Sequence, residues 1–201
     1  MLKDKFEKHK EIFRANNGIL RASKAINLGI PEYILYEMLR EKELIKESRG
    51  LYRLAETKNL GNPDFVQISL LIPKGVICLI SALYFHELTT QIPRYVYVVL
   101  PQSRKRPRIN YPPVKFFYRS ERQYLAGIQE YILDGVAVRI YNQEKTIADC
   151  FMYRKRIGIE IALEALRDYM RQPAPDIHLL IEYARIDRVE KLIRPYIEAL
   201  V

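Results

Sequence analysis

Three sets of chain breakers, Asn16-Asn17-Gly18, Gly29-Ile30-Pro31 and Ser48-Arg49-Gly50, cut the start of this sequence into short periodic runs. Helices below about 12–15 residues are marginal alone in water, so such runs persist only by packing on one another. Leu2, Phe6, His9 and Phe13, with Ile12 beside them, recur at helical spacing and predict a first helix that Asn16-Asn17-Gly18 ends. Leu20 to Leu28, with Ala22, Ala25 and Ile26, predicts a small-residue second helix. Pro31 suits the first turn of a third, which turns Ile34, Leu35, Met38 and Leu39 inward and leaves Glu32, Tyr33, Tyr36, Glu37 and Arg40 outside. Leu44 to Leu54 reads as two short strands around Ser48-Arg49-Gly50. Three helices and a hairpin make a winged helix, expected over residues 1–58.

Ala55 to Asn62 is polar and reads as a linker, and Asn62-Pro63-Asp64 can cap a new helix, so a second domain is expected over residues 63–201. Phe65–Ile72, Gly75–Ile80 and Ala82–Leu88 suggest helix, strand and helix. Phe65 to Tyr84 imitates a membrane span, but Pro73-Lys74-Gly75 divides it into pieces too short for about 30 Å of hydrocarbon. Arg94–Leu100 is β-branched and aromatic, with Val114–Tyr118 as its expected partner. Gln129–Leu133 and Val136–Tyr141 flank Asp134-Gly135, a strong hairpin signal. These strands predict a small, mostly antiparallel sheet. From Asn142 onward the apolar period becomes helical and stays so to Leu200, which predicts a terminal helical cluster and an α+β class overall.

Charge narrows the partners. The 201 residues hold 33 Lys and Arg against 24 Asp and Glu, a formal +9, which favours a polyanion such as nucleic acid. In a winged helix the third helix enters a major groove, so Tyr33, Tyr36 and Arg40 are the expected base readers, Arg40 foremost because guanidinium pairs bidentately with guanine. Lys24, with Lys46, Arg49 and Arg53 on the wing, would hold phosphates and set register. Glu32 and Glu37 stand on the same helix and temper its charge; a protein-docking winged helix would carry the same mixture. A second basic feature is one-signed. No acidic residue falls between Glu87 and Glu121, while Arg94, Arg104, Lys105, Arg106, Arg108, Lys115 and Arg119 all do. Its centre, Arg104, Lys105, Arg106 and Arg108, would meet nucleic-acid backbone or an acidic protein, or remain a solvated loop.

Catalytic patterns are weak. His9, His86 and His178 have no metal-ligand spacing, Cys78 and Cys150 form no C-x-x-C, and phosphate-binding glycine loops and nucleophile elbows are missing. Glu56-Thr57-Lys58 has the carboxylate-x-Lys form of some nucleases but falls in the linker. No enzyme activity, cofactor or metal is therefore expected. The charged opening of the chain lacks the apolar core of a signal peptide, so a cytoplasmic protein without a membrane partner is expected. In Tyr141 to Phe151, Asn142 is a credible helix cap, Glu144 suits the helix dipole, and Lys145 with Asp149 is spaced for a pair worth a few tenths of a kcal/mol. Arg139 on the preceding strand is expected to approach this charged cluster.

Gly18-Ile19-Leu20-Arg21-Ala22-Ser23, Gly29-Ile30, Leu39, Leu44 and Arg49-Gly50-Leu51-Tyr52-Arg53-Leu54 together resemble the winged-helix start of AbiEi-type antitoxins, from bacterial abortive-infection (type IV) toxin–antitoxin pairs. Arg139-Ile140-Tyr141 leading to Glu144-Lys145-Thr146-Ile147-Ala148-Asp149-Cys150-Phe151, then Gly158 and Ala162-Leu163-Glu164-Ala165-Leu166, resembles the C-terminal signature of that family. The resemblance implies a regulator whose winged helix binds inverted repeats in its own promoter. It further implies a C-terminal domain, marked by Arg139, Glu144, Lys145 and Asp149, that counters a nucleotidyltransferase-like toxin without requiring a stable complex. The alternative class is a non-catalytic interaction module that docks an acidic partner.

Overall fold

The computed structural model describes residues 5–57 and 61–200. Leu2 of the first helical pattern and Lys58 of the carboxylate-x-Lys triplet lie outside those residues. The chain divides into two compact units, Met1–Pro73 with Ile132–Ala137, and Lys74–Tyr131 with Val138–Val201. The helix over residues 63–71, which the linker reading gave to the second domain, thus groups with the first.

The first unit opens with α1 (Glu7–Arg14), β1 (Ile19–Arg21), α2 (Ala22–Asn27) and α3 (Glu32–Arg40), followed by β2 (Leu44–Ser48), β3 (Leu51–Leu54) and α4 (Pro63–Leu71). Phe6, Phe13, Ala25, Ile34, Leu35 and Met38, with Ile30 from the turn before α3 and Leu20, Leu44, Tyr52 and Leu54 from the strands, form its core. One element departs from the sequence reading. The second helix begins at Ala22 rather than Leu20, because Ile19–Arg21 is extended and pairs antiparallel with β3, Leu20 opposite Tyr52. The wing is therefore a three-stranded sheet in the order β1-β3-β2, with β3 at its centre and every residue of β3 buried.

The second unit contains β4 (Val76–Ile77), α5 (Leu79–Phe85), β5 (Val96–Pro101), β6 (Val114–Arg119), α6 (Glu121–Leu125), β7 (Ile128–Leu133) and β8 (Val136–Tyr141), the tip between the last two excepted. Then come α7 (Gln143–Met152), α8 (Arg154–Ile157), α9 (Ile159–Met170), α10 (Ile177–Ile186) and α11 (Glu190–Glu198). Five strands run in the order β6-β5-β4-β8-β7. The sheet is mixed rather than mostly antiparallel: β4 pairs antiparallel with β5, but β5 with β6 and β4 with β8 are parallel. The cause lies in the connections. Parallel neighbours need a crossover of about a dozen residues, and the long Gln102–Pro113 segment provides one between β5 and β6. Asp134 and Gly135 both take positive φ, 49° and 76°, as the tight turn between β7 and β8 demands.

Helix α7 is the axis of this unit. Its residues from Lys145 to Phe151 are all buried, and α5, α9, α10 and α11 pack around it. The apolar stretch from Phe65 to Tyr84 becomes α4, β4 and most of α5, and no helix among the described residues is long and apolar enough to cross a membrane.

Candidate nucleic-acid interface

The turn between α2 and α3 is fixed by its own hydrogen bonds. Gly29, at φ 94°, follows the last turn of α2, its N–H donates to the Ile26 carbonyl at 2.9 Å, and Ile30 N–H donates to Ala25 at 3.0 Å. This pairing satisfies the orphan carbonyls of the helix end, and burial of Ile30 anchors it to the core. Pro31 then sets the first turn of α3, its carbonyl accepting from Ile34 N–H at 3.0 Å. Two short helices are thereby held at a defined turn, with the second facing outward.

The outer face of α3 carries Tyr33, Tyr36 and Arg40, one and two turns apart. Tyr33 and Tyr36 are 69% and 59% exposed, too open for core aromatics, and line with Lys5, Ile34, Glu37 and Arg40 a shallow concavity of about 530 Å³. Arg40 is equally open but not free: its guanidinium lies 3.3 Å from Glu41 and 3.6 Å from Glu37. Glu37 also accepts from Lys5 Nζ at 2.7 Å, and this bond first, then the nearby charges, holds its carboxyl below the usual range. Of the two acidic residues that temper the reading helix, Glu37 is therefore neutralised by two cations. Lys24 on α2, Lys46 on β2 and Arg49 at the wing turn are exposed, with no ion-pair partner among the described residues.

Arg53 does not join them. It lies on the central strand β3, only 6% exposed, with Nη1 donating to the Thr57 carbonyl at 2.7 Å and Nε bonded to Glu47. It ties the wing to the segment that follows. Glu56, the carboxylate of the nuclease-like triplet, is likewise engaged, accepting from Arg14 Nε at 2.7 Å.

Arg104, Lys105, Arg106 and Arg108 all belong to the crossover between β5 and β6, in the second unit, and all are exposed. None has a carboxylate partner among the described residues. Arg106 lies over the Phe116 ring at 5.5 Å, and Lys115 of β6 over Tyr95 at 4.4 Å.

The charged motif at α7 is built differently from the surface pair that spacing suggested. Asn142 caps the helix as expected, its Oδ1 accepting from Lys145 N–H at 3.0 Å. Lys145 Nζ does reach Asp149 Oδ1 at 2.6 Å, but both side chains are enclosed and share a network with Arg119 and Asp187. Burial raises Asp187, joined by repulsion from Asp149, and places it at about 7. Burial opposes the Asp149 carboxylate as well, yet Lys145 and Arg119 outweigh it and its pKa falls. Arg139 and Glu144 stand apart from this network: Arg139 Nη1 donates to Tyr124 Oη at 2.9 Å, and Glu144 accepts from Tyr169 Oη at 2.7 Å. Sequence reasoning missed the parts played by Arg119 and Asp187. The available signal was strand alternation, since Arg119 lies two positions from the buried Phe117 on one face of β6.

A helix–turn–helix with an exposed second helix and a three-stranded wing defines the first unit as a winged helix. Residues 7–55 match the family model described as "Transcriptional regulator, AbiEi antitoxin", so this segment is similar to that family. No curated protein matches the chain.

Proposed function

We propose that the chain is the antitoxin and autoregulator of a toxin–antitoxin operon. Its first unit binds inverted repeats in its own promoter and represses transcription, with α3 in the major groove and the wing on neighbouring phosphates. Tyr33, Tyr36 and Arg40 read bases, while Lys24, Lys46 and Arg49 hold the backbone. The observation that carries this reading is the exposed Tyr33–Tyr36–Arg40 face, borne by a segment that matches a regulator family model. The second unit, with the resemblance at Arg139 and along α7, counters a nucleotidyltransferase-like toxin. The reading assigns no chemical step to this chain, and places it in the cytoplasm.

Fluorescence anisotropy of the full chain against its own upstream DNA and a scrambled duplex, at two salt concentrations, tests the regulator half. Preference for its own upstream DNA that survives the higher salt supports it. Equal, steeply salt-dependent binding of both duplexes refutes sequence reading, since backbone contacts alone release counterions without discriminating. A second reading, docking of an acidic protein, draws on the carboxylates of Glu37 and Glu41 that already engage Arg40 and on the exposed cations of the β5–β6 crossover. It predicts no binding of either duplex.

A further inference from the structure

The second unit contains a cleft of about 550 Å³ whose lining includes Lys74, Arg104, Arg139, Tyr124, Leu125 and Glu121. We propose that this cleft binds a small organic phosphate monoester, the phosphate held by Lys74, Arg104 and Arg139. The inference stands apart from the DNA reading, since it concerns the other unit and requires no nucleic acid.

Arg139 is the best-positioned of the three. It is half-buried on β8, its Nη1 donates to Tyr124 Oη at 2.9 Å, and its guanidinium lies 5.6 Å from the centre of the Tyr124 ring. Tyr124 is itself fixed: it is buried, its hydroxyl donates to the Lys74 carbonyl at 2.6 Å, and its own carbonyl accepts from Tyr141 Oη at 2.8 Å. A guanidinium has five N–H donors, and no carboxylate engages those of Arg139 among the described residues. Lys74 and Arg104 likewise have no carboxylate partner there. A fixed, partly desolvated guanidinium without a counter-charge is a site for an anion, because its ordering has already been met by the fold.

Charge and size select the anion. Three cations against the single carboxylate of Glu121 leave a surplus of two, matching the charge of about −1.5 to −2 and the three acceptor oxygens of a phosphate monoester at neutral pH. The cleft falls within the range of about 300–1,000 Å³ usual for small-molecule sites and exceeds what phosphate alone fills. Leu125, 56% exposed, offers an apolar wall to the organic part.

The test is calorimetric titration of the full chain with adenosine monophosphate, inorganic phosphate and unphosphorylated adenosine at constant ionic strength. Adenosine monophosphate and inorganic phosphate are expected to bind and adenosine to fail. Arg139→Gln should weaken binding about tenfold or more, as loss of a charge-assisted hydrogen bond does. Lys74→Gln, at an exposed position, carries the same expectation should Arg139→Gln disturb folding. Glu121→Gln should tighten binding by roughly threefold, through relief of repulsion. Lys115→Gln, outside the cleft lining, should leave binding unchanged. Failure of adenosine monophosphate to bind, with or without binding of inorganic phosphate, or binding that Lys74→Gln and Arg139→Gln leave intact, overturns the proposal. So does binding confined to duplex DNA, which would make these cations polymer contacts.

Discussion

Lys145 Nζ stands 2.7 Å from Asp187 Oδ2, with neither side chain accessible to solvent. The pair joins α7 to the turn between α10 and α11, at the centre of the second unit. Removing one partner of a buried pair leaves the other charge uncompensated, at a cost of about 3–5 kcal/mol. Lys145→Met, similar in volume, should therefore lower the stability of the chain by that order in urea unfolding. A loss below about 1 kcal/mol, the value of a surface pair, would show that the network contributes nothing special.

The same network sets a pH dependence. Asp187 has a folded pKa raised to about 7, so the stability it contributes is full below the unfolded carboxyl value and is lost as pH rises to about 7. Asp149 runs the other way, its contribution being lost only as pH falls through the acid range, below the window of interest. His9 and His86, both lowered chiefly by burial, lose stability as pH falls below about 6.5 and so partly mask Asp187. The difference between the native chain and Asp187→Asn isolates it. Measured by urea unfolding from pH 5 to pH 8, the native chain should lose stability relative to the variant as pH rises. A constant difference would mean that Asp187 does not titrate there.

Glu37 holds Arg40 and Lys5 on the reading helix. Glu37→Gln removes a negative charge from the face meant for DNA and releases Arg40 towards a base. Affinity for the chain's own upstream DNA, read by anisotropy, should rise several-fold, and the slope of affinity against salt should steepen. Weaker binding would mean that the Glu37 tether is what positions Arg40.

Arg53 separates stability from recognition. Arg53→Ala leaves the Glu47 carboxylate and Thr57 carbonyl without their donor, and an unsatisfied buried group costs about 1–3 kcal/mol. The thermal midpoint should fall, while the DNA affinity of the folded protein stays within about twofold, as for any residue that makes no phosphate contact. An unchanged midpoint with lost DNA affinity would restore Arg53 to the phosphate-binding set.

Elements whose cause is local were legible in the sequence. Gly29-Ile30-Pro31 both ends α2 and starts α3, Asn142 caps α7, and Asp134-Gly135 turns the chain, because each acts through its own backbone geometry. Elements whose cause is distant were not. Leu20 and Arg21 sit in a run of helical spacing and join a strand only because β3 offers partners thirty or more positions away. The direction of β5 against β6 depends on how the crossover is routed. At the site, Tyr33, Tyr36, Arg40, Lys24, Lys46 and Arg49 lie on the surface as patterning implied, whereas Arg53 alternates onto a strand with no exposed residue. Lys145 and Asp149 pair at the expected spacing, but Arg119 and Asp187 turn that pair into a buried network from 30 and 38 positions beyond Asp149 along the chain in either direction.

The central claim is that α3 reads DNA sequence, and a matched pair of substitutions tests it most directly. Arg40→Ala and Lys46→Ala are compared by anisotropy on the chain's own upstream DNA and on a scrambled duplex across a salt series. Arg40→Ala should erase about 1–3 kcal/mol of preference between the duplexes, the worth of one bidentate base contact. Lys46→Ala should weaken both alike and reduce the logarithmic salt slope by about 0.9, the signature of one lost phosphate contact. Affinity, preference and slope unchanged by both substitutions would contradict the account.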